Sequence, residues 1–556
     1  MSSAIPHRLP LAGVLRLGRP SDIWFKPALS VVAAVAPPNL ILLSLGRLDL
    51  AMYTMAGSLC ALYGHSRPYV ARARVLAWVV LGMVAGLALS LLAASLTGDA
   101  VLLVTVGAVM AAVQKTLSDA TRLGPPANVV LTFISSASLF VPQTLGQVPG
   151  HVGLALAAGV WAWLVGMAPG LLRPHGPERR ATAQALAAAA AYADTRGTAD
   201  GHVRARAASA AAIHAAWQSL LAAGSRPDRT RQGLERLLVR AEVALAAPAD
   251  ADPARLRAWA RELRGTGRIP PVGSTPESAD ELLGVDVELA LPARPLRHRL
   301  TALAPIAART AIGCALAGYA SLAFGVGRPY WALVTAASLY QANVTLTWSR
   351  GIQRVVGNLL GVLLFAALAP LTHLHPVALV LCTVALNFGA EALIGRNYWL
   401  GTVCVTPMAL LITEVARAQN PAELITERVA DTLVGALVGF VAAVAVTNRR
   451  AGDRLEQALT AAERARENAA RLLAEPHPAP RALEAARRTL AAALVDLRVT
   501  ADAASGEWWQ RALPEERVVL TEQSGHRTLA ATVRALGFVP QHQNQEPGRT
   551  TEDIRP

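Results

Sequence analysis

Twelve long apolar segments limit what this chain can fold into. A helix needs about 20 apolar residues to cross the roughly 30 Å hydrocarbon core of a bilayer. Inside that core a helix pairs all its backbone polar groups within itself. The segments form two groups of six, at residues 27–46, 48–64, 73–97, 100–118, 127–146 and 151–172, and at 301–325, 330–347, 352–371, 376–394, 398–416 and 428–447. The pattern predicts an all-α membrane protein with about twelve transmembrane helices.

The composition changes after each group of six. Residues 173–298 contain Ala-rich segments studded with Arg, Glu and Asp, which is typical of amphipathic helices in water, and a Pro- and Gly-rich linker from 265 to 295. Residues 449–556 have the same helical character and end in a polar stretch from 541 that we expect to be disordered. The predicted parts are a cytoplasmic leader at 1–26, transmembrane halves at 27–172 and 299–448, and cytoplasmic helical regions at 173–298 and 449–556.

The charges of the loops predict the orientation of the chain. The formal net charge is +14, and only two of the basic residues are lysines. Loops predicted to be cytoplasmic contain Arg67, Arg72, Arg74, Lys115, Arg122, Arg350, Arg354 and Arg396. Arg328, Arg417 and Arg428 fall in predicted outer loops and are exceptions to the positive-inside rule. The alternation predicts that both termini and both helical regions are cytoplasmic. The basic residues are expected to bind acidic lipid or an anionic solute. Nucleic acid is a weaker choice of partner, since no basic tail interleaved with aromatics is present.

The two halves resemble each other. The third segment of each carries two glycines four residues apart, Gly82 and Gly86 in the first half and Gly357 and Gly361 in the second, each pair after a basic loop. Six crossings return a chain to its starting side, so two such copies share one orientation. We therefore predict a parallel repeat, related by a pseudo-two-fold axis along the membrane normal.

The second half carries four recognisable motifs: Arg328-Pro-Tyr-Trp-Ala-Leu-Val-Thr335, Arg350-Gly-Ile-Gln-Arg354-Val-Val-Gly357, Arg396-Asn-Tyr398 and Thr406-Pro407. It resembles the fusaric acid resistance family of bacterial membrane proteins, which is grouped with aromatic acid exporters. The resemblance implies export of small anionic or aromatic solutes across a bacterial plasma membrane. The first half departs from the motifs, which suggests a scaffold more than a site. Plant aluminium-activated malate transporters look like distant architectural relatives, and by analogy the two halves here would enclose the anion path.

Ionisable residues at membrane depth are costly, so each is a candidate site. Arg350 and Arg354 lie four apart and would share one helical face, where two guanidinium groups could bind a carboxylate. The alternative is that both are ordinary positive-inside charges. Glu391, near the cytoplasmic end of its segment, is expected either to pair with Arg396 or Arg354 or to carry a proton.

Polar and proline residues complete the candidate path. Thr335 and Gln341 lie on the segment at 330–347 and would line a cavity or join helices. Pro407 would break its segment and expose backbone carbonyls. Arg396 and Tyr398 are added on the family resemblance. The predicted substrate-path residues are Arg350, Arg354, Thr335, Gln341, Glu391, Arg396, Tyr398 and Pro407.

Motifs for other chemistry are missing from the sequence. Neither lysine lies in a G-x-x-x-x-G-K-[ST] loop, and the four cysteines lie in apolar segments without CxxC spacing, so we predict no nucleotide, metal or other cofactor and no enzyme. The predicted function is a secondary exporter of small organic anions, with a path between the two halves. One alternative is a passive anion channel of the same architecture. Another is a membrane-anchored interaction protein whose helical regions bind a cytoplasmic partner or a second copy.

Overall fold

The computed structural model describes residues 9, 11, 13–18, 23–195, 199–224, 228–265, 267–271, 300, 303–416, 420–446, 451–505 and 514–536. Within these ranges the regular structure is helical and contains no strand. Most of the predicted linker, and the polar tail predicted from residue 541, lie outside the described residues. The predicted all-α class is confirmed.

A helix forms in each of the twelve apolar segments. In the first half these are α1 (Phe25–Ser44), α2 (Leu48–Leu62), α3 (Tyr69–Leu96), α4 (Ala100–Ala120), α5 (Val129–Ser138) and α6 (Val148–Leu172). In the second half they are α11 (Ala304–Ala323), α12 (Pro329–Leu339), α13 (Val344–Leu374), α14 (Pro376–Ile394), α15 (Tyr398–Ala416) and α16 (Pro421–Ala445). Among the described residues, 8 helices are long and apolar enough to cross a membrane, and α2, α5 and α15 are shorter apolar helices. The count of twelve crossings therefore stays a prediction.

The predicted segment at 330–347 is wrong at its end. Helix α12 ends at Leu339, and α13 begins at Val344. The side chain of Asn343 causes the break, because its oxygen accepts a hydrogen bond from the backbone N–H of Leu346 at 2.8 Å and so caps α13. Gln341 consequently lies in the turn between the two helices, and not on α12.

Pro407 does not break its helix, so that prediction is also wrong. Helix α15 continues through Pro407. A proline frees the carbonyl four residues earlier, here that of Val403, and this oxygen lies against Gly361 of α13, where a Cβ atom would come within 3.0 Å of it. Helix α13 therefore packs closely on α15 and covers the carbonyl that the proline frees.

The neighbours of each helix repeat between the halves. In both halves the second helix packs against the sixth, and the third packs against the fifth and the sixth. Between the halves, α1 packs on α14 while α4 packs on α11, and α2 packs on α15 while α5 packs on α12. Such reciprocal pairs are what a two-fold axis produces. They agree with the predicted parallel repeat, and the rotation itself stays a prediction.

A second compact unit contains most of both soluble regions, with residues Glu178–Pro292, Arg454–Ala501 and Pro514–Pro556. Its helices are α7 (Gly176–Ala193), α8 (Ala199–Ala222), α9 (Arg229–Ala246), α10 (Pro253–Arg264), α17 (Ala451–Ala474), α18 (Pro480–Ser505) and α19 (Glu515–Ala535). Alanine and leucine side chains of α7 to α10 form a core around Trp217 and Leu220. Regions that are separate in the sequence thus share one unit, which we call the helical unit.

A buried ion network joins α9 to α18 within the helical unit. Arg487 is 3% exposed and donates to Glu242 at 2.9 Å and to Glu484 at 2.7 Å. Arg488 donates to Glu484 at 2.6 Å and lies 3.8 Å over the ring of Trp217, whose N–H donates to Glu242. Burial alone would raise the pKa of Glu484, but the two guanidinium groups hold that pKa below its ordinary value. The network therefore depends on the ionised carboxylates.

We expect His526 of α19 to make the helical unit sensitive to acid. Burial, with the charge of Arg206, lowers the pKa of His526 from 6.5 to about 3. The unfolded chain takes up this proton below about pH 6.5 and the folded chain does not, so the stability is full above that pH and falls from there towards pH 3. The expected loss at pH 5 is about 2 kcal/mol, since one pKa unit corresponds to about 1.4 kcal/mol.

Thermal unfolding of the full chain in detergent at pH 7 and pH 5 measures this effect. His526→Gln should shrink the pH-dependent change in midpoint, whereas His477→Gln, at an exposed position, should leave it unaltered. If the unfolding midpoint falls equally between pH 7 and pH 5 in both variants, His526 is not the cause of the acid sensitivity.

Candidate functional site

Two predicted arginines converge on one predicted tyrosine. The Nη1 atom of Arg354 donates to the hydroxyl of Tyr398 at 2.8 Å, and the guanidinium of Arg350 lies 4.0 Å from the centre of the same ring. The four-residue spacing predicted a shared face, and both side chains do face α15. Both lie within the first roughly three turns of α13 and not in a loop, because Asn343 starts that helix early. Arg354 is only 5% exposed.

A second arginine site lies one turn further along α13. The Oδ1 atom of Asn358 accepts hydrogen bonds from Nη2 of Arg428 at 3.1 Å and from the hydroxyl of Thr406 at 2.5 Å. These three residues come from α13, α16 and α15. Arg428 is 2% exposed, so its charge is removed from water on all sides.

Several hydrogen-bond donors around Asn358 have no acceptor among the described residues. They are Nε of Arg354, Nε and Nη1 of Arg428, Nδ2 of Asn358 and Nε1 of Trp331, and all are buried. An unpaired buried polar group costs about 1–3 kcal/mol, and more if it is charged. Guanidinium groups remain protonated in proteins, so neutralisation does not relieve this cost. An acceptor is required, and an anion fits a site with such an excess of donors.

Trp331 lies between two arginines of this cluster. Its ring is fully buried, with the guanidinium of Arg428 at 5.0 Å and that of Arg328 at 5.1 Å from its centre. Arg328, at the start of α12, forms an ion pair with Glu427 of α16. Arg350, Arg354, Arg428 and Arg328 form a series of cations from the first turns of α13 to the start of α12, which we call the arginine ladder. Every member is on a second-half helix.

Asp431 supplies a carboxylate one turn from Arg428 on α16. It is 0% exposed, and its Oδ1 atom accepts from the hydroxyl of Ser321 at 2.5 Å. Its Oδ2 atom has no hydrogen-bond partner in the part of the chain that the structure describes. The cluster therefore offers one free acceptor beside its five free donors.

Other predicted path residues lie apart from the ladder. Thr335 is buried in α12, where its Cβ would lie 2.8 Å from a side chain at Gly435. Gln341 donates to the carbonyl of Tyr340 in the turn before α13. Pro407 is buried next to Thr406 in the continuous helix α15.

The predicted pairing of Glu391 is wrong. Over the described ranges, Glu391 has no hydrogen bond or ion pair with Arg354 or Arg396. Arg354 points to Tyr398, and Arg396 is exposed at the end of α14. Spacing along the chain placed Glu391 near both arginines, but the packing of α13 on α15 directs Arg354 away from α14. The alternative, that Glu391 carries a proton, stays a prediction.

Sequence reasoning missed Arg428, Asn358 and Asp431. Arg428 was assigned to a loop because the last apolar segment was started at 428, whereas α16 begins two turns earlier at Pro421. A signal was present, since Arg328 and Arg428 were both exceptions to the positive-inside rule. An arginine that departs from the positive-inside rule is thus a candidate for a buried binding residue. Arg417, the third exception, lies outside the described residues.

The chain is similar to known membrane proteins. Residues 314–442 match the family model described as fusaric acid resistance protein-like. YvaC, an uncharacterised membrane protein of Bacillus subtilis (strain 168), is 27% identical over 479 residues, which cover 78% of this chain and 74% of the relative. No solved structure matches. The whole arginine ladder lies within the matched range, so the part of this membrane protein that holds the ladder is similar to the fusaric acid resistance protein-like family.

Proposed function

We propose that this protein is a secondary transporter that exports small organic anions, and that the acidic group of the solute binds between Arg354 and Arg428. The observation that carries the proposal is the set of buried, unpaired N–H groups around Asn358. A carboxylate has two oxygens with about four acceptor positions, which matches donors from two guanidinium groups and one amide.

The surroundings favour a solute with an aromatic or other flat apolar part. Trp331 and Tyr398 border the two arginines, and their ring faces already attract cations. Two arginines and the nearby Asp431 give the cluster a formal charge of +1 if all three are ionised, so a monoanion would balance it. The free oxygen of Asp431 would accept a donor on the solute, such as a hydroxyl or ring N–H.

We propose that the solute passes along the arginine ladder, inside the second half and beside the contact of α12 with α5. The sequence predicted a path between the two halves. Helix α12 packs on α5 of the first half and on α13 and α16 of the second, so it lies next to both the predicted path and the arginine ladder. The first half would then act mainly as a scaffold. Both termini would lie on the cytoplasmic side of a bacterial inner membrane, and the membrane potential or the proton gradient would drive export.

Flux of an aromatic carboxylate such as benzoate from proteoliposomes tests the proposed function. Purified protein is reconstituted, and efflux is followed under a potassium diffusion potential or an imposed pH gradient. Saturable flux that responds to either gradient supports the transporter. Non-saturating current with no coupling would support the channel instead. No flux under either gradient would contradict the proposal and favour the membrane-anchored interaction protein.

Substitutions of Arg354 test the binding site within that assay. Arg354→Ala should raise the half-saturation concentration about tenfold, because one charged hydrogen bond contributes roughly 1.5–3 kcal/mol. Arg354→Lys should be intermediate, since it keeps the charge and loses the planar fork. Arg74→Ala removes an exposed arginine from α3 and serves as the matched control. If Arg354→Ala has an unchanged half-saturation concentration at equal membrane abundance, Arg354 does not bind the solute and is an ordinary positive-inside charge.

A further inference from the structure

A short segment near the N-terminus crosses one end of the second half. The carbonyl oxygen of Val14 accepts hydrogen bonds from Nε2 of Gln353 at 2.9 Å and from Nδ2 of Asn397 at 3.0 Å. The side chain of Val14 is 7% exposed, so it is buried against this surface. We call residues 14–18 the N-terminal strap.

Three more hydrogen bonds hold the N-terminal strap. The carbonyl of Leu15 accepts from Nε1 of Trp399 at 3.2 Å, and that of Arg16 accepts from Nδ2 of Asn397 at 3.1 Å. The backbone N–H of Gly18 donates to the carbonyl of Arg396 at 2.8 Å. Side chains provide most of the attachment of the strap: Gln353 on α13, Trp399 on α15, and Asn397 in the turn just before α15.

The attachment points of the strap flank the end of the arginine ladder. Gln353 lies between Arg350 and Arg354 on α13, and Asn397 and Trp399 are the two chain neighbours of Tyr398. The strap is therefore bonded to residues that neighbour Arg354 and Tyr398 along the chain.

We propose that the N-terminal strap is a lid over this end of the solute site, and that the solute reaches Arg350 and Arg354 from that side only when the strap is released. The inference rests on the proposed function for its purpose. Release is feasible because a few neutral hydrogen bonds and one apolar side chain hold the strap, and segments with so few contacts open locally without unfolding the rest. The side chains of Leu15 and Leu17 are 40% and 55% exposed, so each adds less to its attachment than the buried side chain of Val14.

Accessibility of a cysteine at position 350 tests the lid without any transport measurement. Arg350→Cys is made in a chain whose four native cysteines are replaced by alanine, and its rate of reaction with a water-soluble maleimide is measured in detergent. Asn397→Ala removes two hydrogen bonds to the strap and should raise the rate about tenfold, since each neutral bond corresponds to a few-fold change in an equilibrium. Gly18→Pro, which lacks the N–H, and Trp399→Phe, which loses the indole donor, should each raise it less.

Two controls accompany the labelling. Ala470→Cys lies on the exposed surface of α17 and should react at one rate in every strap variant. Asn468→Ala changes an exposed asparagine of the same helix and should leave labelling at 350 unchanged. Equal labelling at 350 with the strap intact and loosened would overturn the lid, whether or not the protein transports anything.

Tethering the strap provides the opposite test. Val14→Cys and Gln353→Cys are joined by a short bis-maleimide, and benzoate flux is compared with that of protein treated with a monofunctional maleimide. The lid predicts that only the tethered protein loses flux, and undiminished flux through tethered protein would overturn it. Faster labelling at 350 in a protein that shows no flux in any form would support the lid and contradict the proposed function, so the two failures are distinguishable.

Discussion

Replacing Arg428 with methionine is expected to abolish saturable anion transport while leaving the protein at least as stable as before. Among the described residues, Arg428 has two donors without an acceptor, Nε and Nη1, and it contacts Asn358 through Nη2 and the face of Trp331. Each charged hydrogen bond to a solute contributes roughly 1.5–3 kcal/mol, so losing both should weaken binding about a hundredfold or more.

The stability half of this prediction separates a binding residue from a structural one. A buried charge without full pairing destabilises a fold, and an apolar side chain of similar volume is often neutral or stabilising in its place. Arg428→Met should therefore keep or raise the unfolding temperature in detergent. Arg428→Lys should retain some transport, because the charge remains. Arg47→Met, which removes an exposed arginine beside Asp49, is the control and should change neither property.

Two results would contradict a binding role for Arg428. If Arg428 serves the fold, Arg428→Met lowers the unfolding temperature and the abundance of the protein, and any transport that remains has an unchanged half-saturation. A stable Arg428→Met protein with unchanged half-saturation would remove Arg428 from the binding site altogether.

Replacing Arg487 with alanine is expected to destabilise the helical unit by about 3–5 kcal/mol, because a buried ion pair loses one partner. Among the described residues, Glu242 would keep the N–H of Trp217 and Glu484 would keep Arg488 as hydrogen-bond donors. The two guanidinium groups lower the pKa of Glu484. Ionised Glu484 therefore stabilises the folded state at pH values above the pKa of this carboxyl in the unfolded chain. This stabilisation is lost as the pH falls through the lower pKa of the folded chain. Arg487→Ala should therefore also lose less stability on acidification than the unaltered protein.

Arg517 offers a matched control in the same unit. It pairs with Glu456 at 2.5 Å and with Glu463 at 2.9 Å, so it too has two carboxylate partners, but it is exposed. Exposed pairs contribute little because water screens them. Unfolding of the full chain by urea, followed by protease susceptibility of the helical unit, compares Arg487→Ala with Arg517→Ala. Equal destabilisation by the two substitutions would show that burial of the network is not the cause.

The membrane class and the helix positions were predictable from sequence because both are local properties. A run of apolar residues needs no partner to form a helix in lipid, since the helix pairs its own backbone. The spacing of Arg350 and Arg354 likewise fixed their common face, because residues four apart are neighbours on any helix. Two predictions of helix ends were wrong: the segment at 330–347 was predicted as one helix, and Pro407 was predicted to break its helix. A capping asparagine started α13 at Val344, inside the segment predicted at 330–347, and α15 continued through its proline.

What the tertiary structure alone decided is which distant groups meet. Asn358, Thr406 and Arg428 come from three helices and share one hydrogen-bond cluster, Arg487 meets Glu242 across 245 residues, and Val14 meets Gln353 across 339. No local pattern marks such partners, because a buried polar group is satisfied by whatever the packing of helices brings to it. The sequence by itself determined that the chain forms apolar helices of a membrane protein and that Arg328 and Arg428 do not follow the positive-inside rule. Packing decided which of those arginines keep free donors, and these are the groups that a solute anion can bind.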